Sequence, residues 1–320
     1  MDKIVVLDGY AENPGDLSWA GFERFGEVTV YDRTPAQDVV SRIGDAAYVL
    51  TNKTVLDEAV LAQCPTVRYV GVLATGFNVV DVKAAAGRGI TVTNIPGYGT
   101  DTVAQYTMAL LLELCHHIGA HADSVRDGDW GRCPDFCYWK FPQMELSGKV
   151  MGIIGYGRIG KRTAELAEAF GMKILVHSGH PVPKEALTEN IRQASLAELL
   201  SSCDVISLHC PLTEKTRGII NRESIAQMKD GVMILNSSRG PLICEEDLKE
   251  ALISGKVAGA AADVLSVEPS SDNHPLLDAP NMLITPHIAW ASREARERLM
   301  QTAVENLAAF VAGDPVNVVS

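Results

Sequence analysis

Three side chains that could carry out a carbonyl reduction each follow a predicted strand in the second half of the chain. They are Arg239 after 232-VMILNSS-238, Glu268 after 260-AAADVLSV-267, and His287 after 282-MLITP-286. The carboxyl ends of parallel strands meet at one edge of a sheet, and ligands collect there. Taken singly, each residue has a plain alternative: a surface cation, a loop carboxylate and a core imidazole.

Together the three residues match what the reduction of a ketone requires. Hydride addition leaves an alkoxide that must be protonated, and histidine can supply a proton near pH 7 because its reference pKa is about 6.5. A neighbouring glutamate favours the imidazolium. An arginine fork binds a substrate carboxylate and polarises the adjacent carbonyl. We therefore expect Arg239 to clamp the substrate, Glu268 to tune the histidine and His287 to donate the proton, or to accept it in the reverse direction.

The hydride donor is indicated by the sequence 150-VMGIIGYGRIGKR-162. An apolar strand runs into Gly155, Gly157 and Gly160, which satisfy the pattern G-x-G-x-x-G, and a helix follows. The glycines allow a tight turn, the approach of a pyrophosphate and close packing of helix on strand, while the helix start offers unpaired N–H groups. Glycines also end strands for local reasons, but this context predicts a dinucleotide site.

The next strand, 173-KILVHS-178, lacks the acidic residue that normally binds the adenosine ribose. Ser178 stands there instead, and its hydroxyl can donate to a 2′-phosphate oxygen. His180 and Lys184 lie close enough in sequence to add positive charge. The alternative is a solvated loop without preference. We expect a site that accepts NADP, with NAD also possible.

Two series of alternating strands and helices surround these residues, which predicts an α/β fold with mostly parallel sheets. Predicted strands of the first series are 3–9, 28–32, 48–52, 69–74 and 90–94, and those of the second are 149–155, 173–178, 204–210, 232–238, 257–265 and 282–288. One long helix is predicted from about residue 100 to 130, and the chain ends in a helix at 292–313. We expect a ligand cleft between the two α/β units.

The overall composition excludes several classes of function. The net charge of −12 and the absence of a Lys/Arg block argue against nucleic-acid binding. The most apolar helical run, 107-TMALLLELC-115, is too short to span a bilayer. The seven cysteines show no metal-like spacing, so we expect no metal. With a strand starting directly at MDKIVVLDG, we expect reduced thiols and a cytoplasmic protein.

At this point the sequence resembles the D-isomer-specific 2-hydroxyacid dehydrogenases, over nearly its whole length. The segments that carry the resemblance are 152-GIIGYGRIGKR-162, 208-LHCPLTEKTRGIIN-221, 233-MILNSSRGPLICEEDLKEAL-252, 258-AGAAADVLSVEP-269 and 285-TPHIAW-290. The family's catalytic roles map onto Arg239, Glu268 and His287. The resemblance further implies cofactor contacts at Thr107, Gly155, Gly157, Arg158, Ile159, Gly160, Ser178, Pro211, Thr216, Ser237, Ser238, Asp263 and His287.

The resemblance also implies a discontinuous domain layout. Residues 1–99 with 291–320 would form a flavodoxin-like substrate domain, and residues 100–290 a Rossmann cofactor domain, both doubly wound. The loop in 71-GVLATGFNVVD-81 is similar to the family's substrate loop, so that Ala74, Thr75 and Gly76 would offer backbone N–H groups to the substrate carboxylate. Without the family, a simple turn at Gly76 would be favoured.

Within the family, 93-TNIPGYGTDTVAQYTMALLLEL-114 and 133-CPDFCYWKFPQMELSGK-149 look most like glycerate dehydrogenases, also called hydroxypyruvate reductases. The expected activity is NAD(P)H-dependent reduction of hydroxypyruvate, and of glyoxylate, to the D-2-hydroxy acid. The alternatives are a dehydrogenase for D-lactate or another 2-keto acid, and a non-catalytic, cofactor-responsive protein resembling corepressors. A homodimer is implied by the family, and Trp139 either reaches a neighbouring pocket or packs in its own loop.

Overall fold

The computed structural model describes residues 2–320, which divide into two compact units. The first unit contains the chain up to Gly99 together with Ala291–Ser320, and the second unit is Thr100–Trp290. Each unit is built on a parallel sheet, so the predicted α/β class with two parallel sheets is confirmed.

The first unit has a five-stranded sheet in the order β2-β1-β3-β4-β5, the order of flavodoxin-like doubly wound folds. Its strands are β1 Lys3–Val6, β2 Glu27–Val30, β3 Tyr48–Thr51, β4 Tyr69–Val72 and β5 Thr91–Thr93. Its helices are α1 Val39–Ile43, α2 Glu58–Ala62, α3 Val82–Gly87 and α11 Arg293–Val311, with short 3-10 turns at Ala20–Phe22 and Ala36–Asp38.

Apolar sequence explains why this sheet is covered on both faces. All four residues of β3 and of β4 are buried, as continuous apolar runs in a parallel sheet require. The C-terminal helix α11 covers one face by placing Leu299 and Leu307 in the cluster that contains Tyr69. Ser292 caps this helix by accepting the N–H of Ala295 at 3.2 Å.

The second unit has a seven-stranded sheet in the order β12-β11-β10-β9-β6-β7-β8, all parallel. Its strands are β6 Val150–Ile154, β7 Lys173–His177, β8 Ile191–Gln193, β9 Val205–Leu208, β10 Val232–Asn236, β11 Val257–Ala262 and β12 Met282–Ile284. Its helices are α4 Thr100–His116, α5 Ile118–Arg126, α6 Asp129–Arg132, α7 Arg158–Ala169, α8 Leu196–Ser202, α9 Arg222–Gln227 and α10 Glu245–Ile253, with 3-10 turns at Lys184–Ala186 and Gly240–Leu242.

The strand order places a topological switch between β6 and β9. The chain winds from β6 through β7 to β8 on one side, and then from β9 to β12 on the other. Connections leave the sheet in opposite directions at such a point, which opens a crevice at the carboxyl ends of the strands. The glycine turn after β6 therefore lies where a Rossmann-type sheet binds its ligand.

The prediction of one long helix from about residue 100 to 130 was wrong. The helix ends at His116, and His117 has a left-handed backbone with φ 48° before α5 begins. The rings of His117 and Phe141 lie 4.5 Å apart, and His121 Nδ1 lies 2.8 Å from the carbonyl oxygen of His117. Side-chain contacts thus hold a break that no glycine or proline marks in the sequence.

The length and apolarity of the helices decide whether any of them could span a membrane. None of the helices within residues 2–320 is long and apolar enough to cross a bilayer.

Candidate active site

The glycine turn after β6 has the space and the donors that a dinucleotide phosphate needs. Gly155 has φ 98°, and a Cβ there would lie 2.4 Å from the backbone nitrogen of Cys210. A Cβ on Gly160 would lie 2.1 Å from the carbonyl oxygen of Gly155. A Cβ on Gly157, by contrast, would meet no atom within 4 Å, so the turn borders open space where α7 begins. The first and third glycines are required by close packing, and the second leaves room for a ligand beside the N–H groups of Arg158, Ile159 and Gly160.

The end of β7 lies next to this turn and has no carboxylate. Gly155 N–H donates to the carbonyl of His177 at 2.8 Å, which joins the two strand ends. The hydroxyl oxygen of Ser178 accepts the N–H of His180 at 3.2 Å. That bond uses the oxygen of Ser178 as acceptor and leaves its hydroxyl hydrogen for another partner.

The loops after β9, β10 and β11, on the other side of β6, carry five more of the predicted cofactor residues: Pro211, Thr216, Ser237, Ser238 and Asp263. The hydroxyl of Ser238 donates to the carbonyl of Cys210 at 2.8 Å, and the hydroxyl of Thr216 donates to the carbonyl of Pro211 at 2.7 Å. The hydroxyls of Thr107 and Ser237 lie 2.8 Å apart, which joins α4 to the end of β10. These contacts place the predicted set around the carboxyl edge of one sheet.

His209, at the end of β9, adds no positive charge to this edge. Desolvation lowers its pKa to about 4, and its Nε2 lies 2.8 Å from the hydroxyl of Ser207. The ring is therefore neutral at physiological pH.

Glu268 and His287 form a pair at the carboxyl ends of β11 and β12. Nδ1 of His287 lies 2.6 Å from Oε2 of Glu268, and the side chains are 34% and 36% exposed. The other carboxylate oxygen, Oε1, accepts the N–H of Leu265 at 2.9 Å. Because Nδ1 is engaged by the carboxylate, Nε2 is the ring nitrogen left for proton transfer.

The backbone of His287 is held in an unusual conformation by Asp263. His287 has φ 55°, and its N–H lies 2.8 Å from the carbonyl oxygen of Asp263. The buried carboxylate of Asp263 accepts the hydroxyl of Thr285 at 2.6 Å and the N–H groups of Ile288 and Ala289 at 2.9 and 2.8 Å. Asp263 thus organises the loop that carries His287, a role that its place in the sequence did not reveal.

Arg239 lies on the loop that follows β10, next to the loop of Glu268. Its side chain is exposed, and Nη1 donates to the carbonyl of Ser238 at 2.7 Å. Its own carbonyl accepts the side-chain amide of Asn236 at 2.9 Å, which fixes the turn. Strands β10 and β11 are paired up to Asn236 and Ala262, so the two loops leave neighbouring strands at the same level.

The predicted substrate loop belongs to the first unit and follows β4. Thr75 Oγ1 donates to the carbonyl of Ile95 at 2.9 Å, and the side-chain amide of Asn94 donates to the carbonyl of Thr75 at 2.7 Å. Within residues 2–320, no acceptor takes the backbone N–H of Thr75 or Gly76. These two donors therefore remain for an anion, while Ala74 is buried at the start of the loop.

Comparison with known proteins places the chain in a family. Residues 108–289 match the family model of the D-isomer specific 2-hydroxyacid dehydrogenase, NAD binding domain. The chain is 58% identical over 321 residues to a hydroxypyruvate reductase of Blautia hydrogenotrophica, which covers 99% of each chain. It is 41% identical to a glycerate dehydrogenase of Methylorubrum extorquens, with 99% of this chain and 98% of that one covered.

A solved structure of an acyclic imino acid reductase in complex with NADPH and D-Arg has the same fold. Its TM-score is 0.85 at 28% identity, and the match covers 99% of this chain and all of the other. The chain therefore belongs to the D-isomer-specific 2-hydroxyacid dehydrogenases, and the predicted resemblance is confirmed. It is an oxidoreductase that uses a nicotinamide cofactor.

Proposed function

We propose that this protein reduces hydroxypyruvate to D-glycerate, and also reduces glyoxylate, with NADH or NADPH. The observation that carries the proposal is the 2.6 Å contact between His287 and Glu268 on a sheet edge that also carries Arg239 and the glycine turn. The 58% identity to a hydroxypyruvate reductase over 99% of both chains supports the choice of substrate.

The cofactor would be held by residues of the second unit. The N–H groups at the start of α7 and the glycine turn would bind its pyrophosphate, because both provide donors beside open space. When bound, the nicotinamide supplies the hydride that reduces the carbonyl carbon. Ser237 and Ser238 lie on the loop after β10 at the same edge and would contact the cofactor, while Asp263 would act by holding the loop of His287 in place.

His287 would provide the proton from Nε2. The carboxylate of Glu268 accepts from Nδ1 and favours the protonated ring, which keeps a proton ready for the oxygen that becomes the hydroxyl. In the reverse direction the neutral ring takes the proton of the 2-hydroxyl group.

Arg239 would bind the substrate carboxylate and polarise the neighbouring carbonyl oxygen. A guanidinium suits both tasks because its planar fork matches two oxygens at once. In the first unit, the N–H groups of Thr75 and Gly76, on the loop that begins at Ala74, would also be donors for a carboxylate. A protein of net charge −12 must gather positive potential locally in this way to hold an anion.

The cofactor specificity that we propose is dual use of NADPH and NADH. Ser178 replaces the acid that would repel a 2′-phosphate, and its hydroxyl hydrogen is available to a phosphate oxygen. The neighbouring His180 and Lys184 carry nitrogen donors on the same segment.

Steady-state kinetics with a panel of 2-keto acids would test the substrate. We expect kcat/KM to be highest for hydroxypyruvate, lower for glyoxylate and much lower for pyruvate, with either reduced cofactor. A preference for pyruvate would assign the protein to D-lactate instead. No oxidation of either cofactor with any 2-keto acid would favour the non-catalytic alternative.

We further propose a cytoplasmic homodimer. The seven thiols are all free in the structure, as expected of a reducing compartment. Trp130, Phe136 and Trp139 are 53%, 89% and 69% exposed on the segment after α5, and a second copy of the chain would cover them. Light scattering should give twice the chain mass, and Trp139→Ser should shift the protein towards monomer.

A further inference from the structure

A second carboxylate–imidazole pair, Glu245 and His274, lies in the second unit. His274 Nε2 lies 3.1 Å from Oε2 of Glu245, and the two side chains are only 6% and 12% exposed. Glu245 also binds Ser266 twice, since Oε1 accepts its N–H at 2.8 Å and Oε2 accepts its hydroxyl at 2.5 Å. A buried carboxylate with three donors is a rigid anchor, because each broken bond would leave a desolvated charge short of a partner.

The partners of His274 give its two ring nitrogens different roles. Nδ1 accepts the N–H of Leu276 at 3.3 Å, so the ring proton lies on Nε2 and is donated to Glu245. The ring therefore donates to Glu245 from within the segment 264–276. The segment is held at Ser266 and at His274, which lie on either side of Glu268.

The dipeptide Leu265–Ser266 connects this pair to the catalytic carboxylate. Leu265 N–H donates to Oε1 of Glu268 at 2.9 Å, and the next amide, Ser266 N–H, donates to Oε1 of Glu245 at 2.8 Å. Two consecutive amides thus bind two different carboxylates. A shift of the dipeptide would move Oε2 of Glu268 relative to His287, and at 2.6 Å that contact tolerates little movement.

The same dipeptide also contacts the loop of Arg239. A Cβ on Gly240 would lie 1.9 Å from the carbonyl carbon of Leu265 and 2.3 Å from the nitrogen of Ser266. The residue that follows Arg239 therefore packs directly against Leu265–Ser266, and helix α10, which carries Glu245, begins five residues further on. The loops of Arg239 and Glu268 meet at this one contact.

We propose that Glu245 and His274, acting through Ser266, are positioning residues that set Arg239 and Glu268 relative to His287. The hydrogen bonds of the pair join Glu245 and His274 to each other, to Ser266 and to Leu276. The inference rests on the proposed function, because it assigns the pair a task in the reduction of the 2-keto acid. A purely structural role for the same pair would stabilise the second unit and leave the pH dependence of catalysis unchanged.

His274→Ala is the first test, measured as kcat and KM for hydroxypyruvate between pH 5.5 and 9. We expect kcat at pH 7.5 to fall about tenfold, since small misplacements of catalytic groups cost up to about 100-fold. On the alkaline side of the profile, we also expect kcat of the variant to fall to half its maximum at a lower pH than kcat of the wild type. The reason is that a displaced Glu268 stabilises the protonated ring of His287 less. His274→Gln places an N–H donor near the former Nε2 and should restore most of both properties.

Asp204→Asn is the matched control in the same unit. Asp204 also binds a backbone amide and a charged partner, Val150 N–H at 2.8 Å and Lys229 Nζ at 2.9 Å, but at the amino ends of the strands. We expect this variant to lose stability and to keep the wild-type pH profile.

The outcomes separate the inference from the proposed function. If His274→Ala lowers the melting temperature but keeps the wild-type kcat and pH profile, the positioning role is refuted and the pair is structural only. If His274→Ala does not fold, Ser266→Ala replaces it, because that variant removes one hydrogen bond and keeps the backbone amide; an unchanged profile there refutes the inference equally. A wild-type protein without turnover on any 2-keto acid would refute the proposed function itself, and the positioning role with it.

Discussion

Glu268→Gln perturbs the interaction on which the proton transfer depends and leaves the side chain's shape unchanged. In the wild type, Oε1 of Glu268 accepts the N–H of Leu265 at 2.9 Å and Oε2 lies 2.6 Å from Nδ1 of His287. The glutamine oxygen should keep the bond to Leu265. The NH₂ group of the glutamine then faces Nδ1 of His287 and can only donate a hydrogen bond to it. This arrangement suits a neutral ring whose Nδ1 is an acceptor, and it opposes the protonated ring, whose Nδ1 is a donor.

The size of the effect follows from the geometry and the exposure of the pair. A hydrogen bond to a charged group contributes about 1.5–3 kcal/mol, and solvent screening reduces this for side chains that are 34% and 36% exposed. A loss of about 1.4 kcal/mol from the transition state corresponds to a change in rate of about tenfold. The reduction requires the protonated ring, so its rate falls as pH rises, and without the carboxylate the loss of rate should be largest on the alkaline side.

The assay is the pH profile of kcat for hydroxypyruvate reduction by Glu268→Gln and by a matched control. We expect a roughly tenfold loss at pH 8 and a much smaller loss at pH 5.5. Glu198→Gln is the control, because Glu198 makes a 2.6 Å ion pair with Arg192 at the β8 edge of the sheet, opposite the β12 edge that precedes His287. A loss of equal size at every pH would refute the reasoning, since Glu268 would then act on something other than the charge of the ring.

Three further predictions address the anion clamp, the cofactor and a buried acid. Arg239→Ala should lower kcat/KM for hydroxypyruvate at least 100-fold, chiefly through KM, because a charge-assisted clamp is lost; Arg222→Ala, which removes an exposed pair with Glu250, should leave it unchanged. Ser178→Asp should raise the ratio of kcat/KM for NADH to that for NADPH at least tenfold, and an unchanged ratio would show that this residue does not face the 2′ position. In the folded protein, burial and, after it, the charge of Asp8 raise the pKa of Glu12 from 4.5 to about 8. The protonated side chain therefore stabilises the native state fully below pH 4.5, and this stabilisation is lost as the pH rises to 8. The free energy of unfolding of Glu12→Gln should therefore rise relative to that of the wild type between pH 5 and 8, by about 1–3 kcal/mol at pH 7. Denaturant titrations in which the difference between the two proteins does not change with pH would contradict this prediction.

The parts of the fold that the sequence predicted are those with strong local signals. Continuous apolar runs indicated β3, β4 and β10, and the three glycines after β6 marked a turn whose packing admits no Cβ at Gly155 or Gly160. Strand β8 was missed because Ile191–Gln193 has only one buried residue. The break at His117 depends on Phe141, which is distant in sequence, so no local pattern revealed it.

The candidate site divides in the same way. Arg239, Glu268 and His287 could be predicted because each has reactive chemistry at a strand end. Asp263 was predicted only as a cofactor contact, and Glu245 and His274 were not predicted, because these side chains act on backbone amides and neighbouring loops whose residues lie up to 29 positions away. The position of Gly240 directly after Arg239 could have indicated that this glycine matters for the site. The contact with Leu265 that requires a glycine exists only in the folded chain, so the sequence does not show it.

The central claim is that His287 donates the proton in a reduction that yields the D-hydroxy acid. His287→Asn tests it most directly, because asparagine tolerates the left-handed backbone at φ 55° and cannot donate a proton as an acid. With hydroxypyruvate and either reduced cofactor, we predict that the wild type forms D-glycerate and that the variant, folded and able to bind the cofactor, has kcat lower by about 100- to 10,000-fold. A folded variant that keeps the wild-type rate, or a wild type that forms L-glycerate, would contradict the account.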